Sequence, residues 1–137
     1  MAPSEKITPA EWELMQAVWT LDPPASVRDV LDHLYPNGEK AYTTVQTLMN
    51  ILEKKKLLTR RKIGMVNFYT PVRGREETTR NEMSTLVDRV FSGSIPALAN
   101  SLLSLEDIGQ DDLDEIRSLL AQRERQLKGD DDGHPSE

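Results

Sequence analysis

Hydrophobic positions recur along residues 43–56 at the spacing of one face of a helix. Val45, Leu48, Met49 and Leu52 follow the i, i+3, i+4, i+7 pattern of a buried stripe. The opposite face carries short polar side chains and lysines, and the first ten residues contain no acid. Hydroxyl and amide groups can bond to base edges and phosphates, and lysine neutralises phosphate. The pattern predicts a helix that packs on one side and binds a ligand on the other. The alternative is an ordinary solvated helix face, and the neighbouring segments distinguish the two.

Two shorter amphipathic segments precede this helix, and a pattern typical of strands follows it. Thr8 and Glu11 predict a capping box at the start of the first segment, and Ser26 caps the second. Residues 57–63 and 65–71 contain β-branched, aromatic and basic side chains on either side of a glycine, which predicts a β-hairpin. Three short helices followed by a basic hairpin are typical of a winged helix-turn-helix, whose third helix enters the major groove.

The chain after residue 75 is predicted to be helical and to contain no sheet. Its apolar residues recur at helical spacing over three segments, but about fifty residues of this kind make a marginal domain by themselves. The stripes are therefore predicted to close on a second copy of the chain; the alternative is that they fold back onto the first half. The residues predicted to form the dimer contact are Leu86, Val87, Val90, Phe91, Ile95, Leu98, Leu102, Leu113, Ile116 and Leu120.

The predicted fold class is mostly α with a small β-hairpin, as a winged helix-turn-helix domain followed by a three-helix dimerisation region. The predicted divisions are a flexible arm at residues 1–6, the winged-helix domain at 7–72, the dimerisation region at 76–127 and a disordered acidic tail at 128–137. Residues 73–75, with a central glycine, are interpreted as a hinge between the two domains.

Charge is distributed unevenly along the chain. Residues 1–75 contain 11 Lys and Arg against 8 Asp and Glu, a net charge of +3, whereas residues 76–137 contain 6 against 15, a net charge of −9. Within the first part, Lys54 to Lys62 supply six basic side chains in nine residues and no acid. A local patch of this kind, rather than the total charge of −6, decides whether a surface attracts a polyanion.

The amino-acid composition argues against a membrane protein, a metal site and an enzyme. The 137-residue chain has no apolar run of 18 or more residues and no secretion-signal pattern, so we expect a cytoplasmic protein that does not insert into a membrane. Cysteine is absent, and His33 and His134 lie far apart in the sequence, so no metal or cofactor is predicted. No phosphate-binding glycine loop or nucleophile motif occurs, and we predict no catalytic residue and no enzyme activity.

Ten side chains are predicted to contact double-stranded DNA. They lie on the outer face of the third helix and on the first strand of the hairpin, where they can bond to phosphates or base edges. A different class of function is a winged-helix module that binds an acidic partner protein through the same basic hairpin. The ten residues are Tyr42, Thr43, Thr44, Gln46, Thr47, Asn50, Lys54, Arg60, Arg61 and Lys62.

Four stretches of the chain carry a resemblance that extends from about Ile7 to Leu120. They are TPAEWELMQAVW near the N-terminus, AYTTVQTLMNILEKKKLL around the third helix, FYTP at the end of the hairpin and LVDRVFSGSIPALANSLL downstream. In this order and spacing they resemble the penicillinase-repressor family of winged-helix transcription regulators, the BlaI/MecI type.

The resemblance implies a homodimer that binds promoter inverted repeats built on a TACA/TGTA core and blocks transcription. It implies that residues 60–62 lie on the wing side and that four polar residues lie at or near the groove: Thr43, Thr44, Thr47 and Asn50. In better-known members, repression is relieved by proteolysis within the dimerisation region after an antibiotic-sensing membrane protease is activated. A regulatory protease is therefore a candidate partner.

The position that matches the family's cleaved Asn-Phe bond is Asn100-Ser101, where the aromatic residue is absent. A sister branch of the family senses copper with a C-terminal cysteine cluster. This chain contains no cysteine, so that mechanism is excluded.

Overall fold

The computed structural model describes residues 6–133 as six helices and three short strands, which confirms the predicted fold class. The elements are α1 (Pro9–Thr20), β1 (Ala25–Ser26), α2 (Val27–Leu34), α3 (Tyr42–Lys54), β2 (Leu58–Ile63), β3 (Val66–Pro71), α4 (Arg75–Val90), α5 (Ile95–Leu103) and α6 (Gln110–Gly133). Within these described residues, no helix is both long enough and apolar enough to cross a bilayer.

Capping side chains fix where the first two helices begin. The Thr8 hydroxyl accepts a hydrogen bond from the Glu11 amide at 3.2 Å, and the Glu11 carboxylate accepts one from the Thr8 amide at 3.1 Å. Ser26 and Asp29 form the same reciprocal pair at the start of α2. Both predicted caps are confirmed, whereas α3 begins after Ala41 without a side-chain cap. The start of α3 therefore depends on packing rather than on a local cap.

The first three helices and one side of the sheet enclose a hydrophobic core. Val45, Met49 and Leu52 of α3 have no exposed surface, and Leu48 packs partly buried beside them, as the sequence pattern predicts. The other core members are Leu14, Met15, Ala17, Val18, Ala25, Val27, Val30, Leu31, Tyr35, Leu58 and Tyr69. Burial of this stripe seats α3 with its polar face outward.

The sheet has the strand order β1-β3-β2, and both neighbouring pairs are antiparallel. The hairpin of β2 and β3 is the predicted one and ends at the pair Ile63 and Val66. Sequence reasoning missed β1, whose Ala25 pairs with Tyr69. A strand of two residues shows no alternation of polar and apolar positions, so only its partner reveals it. The addition of β1 makes β3 the central strand.

Helix α3 spans residues 42–54 rather than the predicted 43–56, because the chain leaves the helix through a left-handed residue. Lys56 has φ 65°, its amide donates to the Glu53 carbonyl at 2.9 Å, and the Leu57 amide donates to the Leu52 carbonyl at 3.0 Å. This pair of bonds is a Schellman motif. Glycine is the usual residue at its left-handed position, so a lysine there gives no sequence signal.

The structure forms two compact units that meet after Val90, and the hinge at residues 73–75 stays a prediction. The Trp19 indole N–H donates to the Arg73 carbonyl at 3.0 Å, and the Arg75 guanidinium lies 5.7 Å from the centre of the Trp19 ring. Arg75 also reaches the Thr20 hydroxyl at 3.3 Å. These contacts tie the start of α4 to the end of α1, so α4 belongs to the first unit.

The ends of the chain differ from the predicted arm and tail as far as the structure describes them. Helix α6 continues to Gly133, although a disordered tail was expected from residue 128. Each residue added to an existing helix gains a hydrogen bond, and no proline interrupts the chain before Pro135. At the other end, the Lys6 carbonyl accepts a hydrogen bond from Lys55 Nζ at 2.7 Å. The rest of the predicted arm and tail, residues 1–5 and 134–137, lies outside the described residues.

Substitution Lys56→Gly should stabilise the protein. A non-glycine residue in the left-handed region costs roughly 1–2 kcal/mol, and the extra freedom of glycine in the unfolded chain offsets about 0.5–1 kcal/mol of that gain. We expect the free energy of unfolding to rise by about 0.5–1 kcal/mol, measured as a higher urea midpoint with an unchanged slope. Lys54→Gly, at the last residue of α3, is the control and should lower the midpoint. A lower midpoint for Lys56→Gly would contradict the strain assigned to Lys56.

Candidate nucleic-acid interface

The outer face of α3 presents a row of polar side chains. Val45 and Met49 are fully buried on the opposite face, and this burial fixes the orientation of the helix. Hydroxyl and amide groups on such a face can donate to and accept from base edges in the major groove. The predicted contacts exposed on α3 are Tyr42, Thr43, Thr44, Thr47 and Lys54, and Gln46 is partly exposed.

Asn50 is placed differently from the other predicted contacts on α3. It is only partly exposed, and its Oδ1 accepts a hydrogen bond from the Tyr69 hydroxyl at 2.9 Å. Tyr69 lies on the central strand β3 and has no exposed surface. Sequence reasoning missed Tyr69 because its partner lies nineteen residues away on another element. A DNA contact by Asn50 stays a prediction, and any such contact must use the side of the amide that Tyr69 leaves free.

The three predicted wing residues occupy β2 but have different surroundings. Arg60 pairs across the ladder with Tyr69, and its Nε lies 3.6 Å from Glu53 Oε1 on α3. Arg61 and Lys62 are exposed further along the strand, and no carboxylate among the described residues forms an ion pair with either. Arg60 therefore links the wing to α3, whereas Arg61 and Lys62 remain available to an anionic ligand.

Residues 54–75 form an acid-free segment that contains eight Lys and Arg and no Asp or Glu. Lys55 is the member of this set with a buried ion pair: its Nζ lies 2.7 Å from Glu11 Oε1, and both side chains are largely buried. Lys54 and Lys56 are exposed beside the end of α3. Unpaired cations on one surface attract a polyanion and release its counterions on binding.

The tip of the hairpin is apolar. Met65 is 90% exposed, and Ile63 and Val66 on either side of the turn are 53% and 45% exposed. Gly64 adopts φ 65° at the first turn position, which a type II′ turn requires. These three apolar residues flank the glycine in the sequence as well, but none of them is among the ten predicted DNA contacts. Such a tip can contact sugars and thymine methyl groups, or a protein surface.

The shifted pKa values in the first unit reflect burial. Burial raises the pKa of Tyr35, and its hydrogen bond to Glu13 raises it further. Burial also raises the pKa of Tyr69, so its hydroxyl keeps its proton near neutral pH. Burial raises the pKa of Glu82, and this effect outweighs nearby basic side chains, whose positive charge lowers it. Among the described residues, no cluster of His, Asp or Glu side chains could hold a metal ion.

Most of the predicted dimer residues are accessible in a single chain. Val87 is the exception, because only 8% of it is exposed. It is already covered within one chain and offers little surface to a partner, so its place in the dimer contact stays a prediction. Leu86, Val90, Ile95, Leu102 and Leu120 are exposed, and Phe91, Leu98, Leu113 and Ile116 are partly exposed.

The candidate cleavage bond lies inside a helix. Asn100 and Ser101 are both exposed on α5, and the Asn100 carbonyl accepts a hydrogen bond from the Ser104 hydroxyl at 2.7 Å. Proteolytic cleavage concentrates at loop tips and chain ends. A protease would therefore have to unwind α5 before it could cut this bond.

The chain is similar over most of its length to known regulatory proteins. The sequence matches the family model described as "Penicillinase repressor" over residues 7–122. It is 32% identical over 125 residues to the transcriptional regulator BlaI of Mycobacterium tuberculosis, covering 90% of this chain and 89% of that protein. It is 24% identical over 115 residues to the methicillin resistance regulatory protein MecI of Staphylococcus aureus, covering 84% and 93%.

Substitution Arg61→Ala should weaken binding to all DNA duplexes by a similar factor. Its guanidinium is exposed and unpaired by any described carboxylate, so we expect it to contact phosphate rather than bases. Loss of one phosphate contact should reduce the slope of log affinity against log salt by about 0.9. Fluorescence anisotropy with a specific and a scrambled duplex measures both quantities. Arg80→Ala, an exposed arginine on α4, is the control and should change neither; a sequence-selective loss for Arg61→Ala would show that the wing reads bases.

Proposed function

The chain belongs to the penicillinase repressor family, and we propose that it represses transcription as a homodimer on TACA/TGTA-type inverted repeats. The matched family is described as a penicillinase repressor, and the relative from Mycobacterium tuberculosis is named as a transcriptional regulator. The observation that carries the finer proposal is the polar outer face of α3 beside the acid-free segment 54–75. One surface thereby combines groups that read bases with charges that bind phosphate.

In this proposal the two ends of α3 make different kinds of contact with DNA. Thr43, Thr44 and Thr47 lie exposed on the first half of the helix, the part that usually meets base edges in a helix-turn-helix. Lys54 and Lys56 at the far end, with Arg61 and Lys62 on the wing, neutralise flanking phosphates. In this proposal the lysines and the wing supply affinity, whereas the threonines supply sequence preference.

The second unit supports dimerisation because it has no buried core of its own. None of residues 91–129 is buried, and Ile95, Leu119 and Leu120 are 68%, 56% and 59% exposed. Apolar surface of this extent is unfavourable in water and marks an interaction site. A second copy of the chain would cover it. A two-fold dimer presents two copies of α3 and so matches an inverted repeat.

A protein-binding module is the second candidate function. The exposed tip of Ile63, Met65 and Val66 is apolar, as a contact with a packed protein surface requires. Arg61 and Lys62 beside the tip would then meet acidic residues of the partner. The dependence of binding on salt separates the two candidates, because release of counterions from DNA makes affinity fall steeply as salt rises.

Binding to two labelled duplexes tests the proposal. One duplex carries a TACA/TGTA inverted repeat and the other a scrambled sequence, and each is titrated by fluorescence anisotropy across a salt series. We expect tight binding to the repeat at one dimer per duplex. Each phosphate neutralised should add about 0.9 to the slope of log affinity against log salt. Weak and equal binding to both duplexes would contradict the proposed operator and favour a protein partner.

Substitution Val90→Asp should dissociate the dimer. Val90 is 58% exposed in one chain and would carry a buried, unpaired charge in the dimer, which costs several kcal/mol, on the order of 3–5. Sedimentation velocity should give a monomer, and binding to the repeat should weaken. Ser84→Asp, also exposed on α4, is the matched control and should stay dimeric. A dimeric Val90→Asp variant would place the interface elsewhere.

A further inference from the structure

A hydrogen bond joins α3 to β3, the central strand of the sheet. The Tyr69 hydroxyl donates to Asn50 Oδ1 at 2.9 Å, and Tyr69 is fully buried on the strand between β1 and β2. The donor is therefore held by the sheet and the acceptor by α3. A buried contact of this kind fixes the position of a side chain more firmly than an exposed one does.

Arg60 determines which way the Tyr69 hydroxyl points. The two residues are directly opposite in the β2–β3 ladder, so their side chains share one face of the sheet. A guanidinium can only donate, and a hydroxyl has one proton to give. A hydrogen bond and the charge of Arg60 both act to lower the pKa of Tyr69, although burial outweighs them. Because Arg60 offers no acceptor on this side, the hydroxyl proton goes to Asn50 Oδ1 at 2.9 Å.

Glu53 completes this arrangement from α3. Its Oε1 lies 3.6 Å from Arg60 Nε, and it lies one helical turn after Asn50 on the same helix. We call Asn50, Glu53, Arg60 and Tyr69 the polar clamp. The clamp holds α3 and the wing together at two points, the Tyr69–Asn50 hydrogen bond and the Arg60–Glu53 ion pair, and it gives the bond to Asn50 one direction, from the Tyr69 hydroxyl to the amide oxygen.

This direction determines what Asn50 can offer to DNA. With Oδ1 turned toward Tyr69, the amide presents its two N–H donors on the remaining side. An asparagine that reads adenine uses both its oxygen and its nitrogen, whereas guanine N7 and O6 and thymine O4 require only a donor. The amide as placed is therefore suited to an acceptor edge and unsuited to the two-point contact with adenine.

We propose that the Tyr69 hydroxyl is a positioning group that makes Asn50 a donor-only reader, selecting a guanine or thymine acceptor edge in the major groove. The proposal rests on the proposed function, since it requires α3 to bind DNA. Phosphate oxygen is the other acceptor that the freed donors could reach, and a contact there would weaken all sequences alike.

Substitution Tyr69→Phe tests the proposal because it removes one hydroxyl and keeps the ring. The full-length variant is titrated by anisotropy against the TACA/TGTA repeat and against duplexes with each base pair of the half-site replaced in turn. We expect the preference for the base pair of the repeat at one position to fall about tenfold. The released amide can then rotate and form the two-point contact with adenine. Asn50→Ala should remove the preference at the same position. The double variant should lose nothing more than Asn50→Ala alone, as two members of one contact require.

Tyr35→Phe is the matched control. Tyr35 is also a buried tyrosine with a hydrogen-bonded hydroxyl, but its hydroxyl donates to the Glu13 carboxylate on α1 and not to a residue of α3. We expect both tyrosine variants to lower the melting temperature, measured by circular dichroism, but only Tyr69→Phe to change base preference. Equal preference profiles for the two variants would reduce Tyr69 to a structural role and overturn the proposal.

Asn50→Asp gives a second test that does not depend on the tyrosine. It replaces the outward N–H donors with an acceptor, so preference at the same base pair should move toward cytosine N4 or adenine N6. A uniform loss for Asn50→Ala, with a lower salt slope and unchanged base preference, would place Asn50 on phosphate and overturn the proposal. If the wild-type protein prefers the repeat while all the variants retain its profile, only the clamp proposal fails. If the wild-type protein shows no preference, the proposed function fails as well.

Discussion

Complete burial of Val45, Met49 and Leu52 on one side of α3 determines which of its residues can reach a ligand. These side chains pack against the core formed with α1, α2 and the sheet. Because α3 begins without a side-chain cap, its first turn depends on this packing in place of a capping side chain. The outward position of the threonines follows directly from burial of the opposite face, so the core and the candidate interface are two sides of one helix.

The basic residues near this helix divide into structural and available groups. Lys55 is held by Glu11, and Arg60 by Glu53, so each joins α3 to another element. The Lys55–Glu11 pair favours one arrangement of the elements, because breaking a buried pair leaves a charge without its partner, whereas the partly exposed Arg60–Glu53 pair contributes less. Charge counts alone would assign all of these cations to DNA. The tertiary contacts show that some of these cations hold the elements in place, whereas the others leave their charge exposed on the surface.

The two units reach stability by different routes. The first encloses a core of helices and sheet, and it includes α4 because Trp19 and Arg75 join α4 to α1. The second, through residue 129, buries none of its side chains in one chain. Under the proposed function its apolar surface is covered only when two chains associate. Dimerisation would then complete the fold and also set the two-fold symmetry that an inverted repeat requires.

The sequence by itself determined the elements and family features that depend on local pattern. Helical periodicity located the buried stripe of α3, capping pairs located α1 and α2, and a glycine between two segments typical of strands located the hairpin. Only the tertiary structure revealed β1, the left-handed residue Lys56, the division after Val90 and the bond from Tyr69 to Asn50. Each of these depends on residues far apart in the chain or on a residue type that its position does not normally favour. Periodicity records which face of an element is buried, whereas partner choice across elements is decided by packing, which no local window contains.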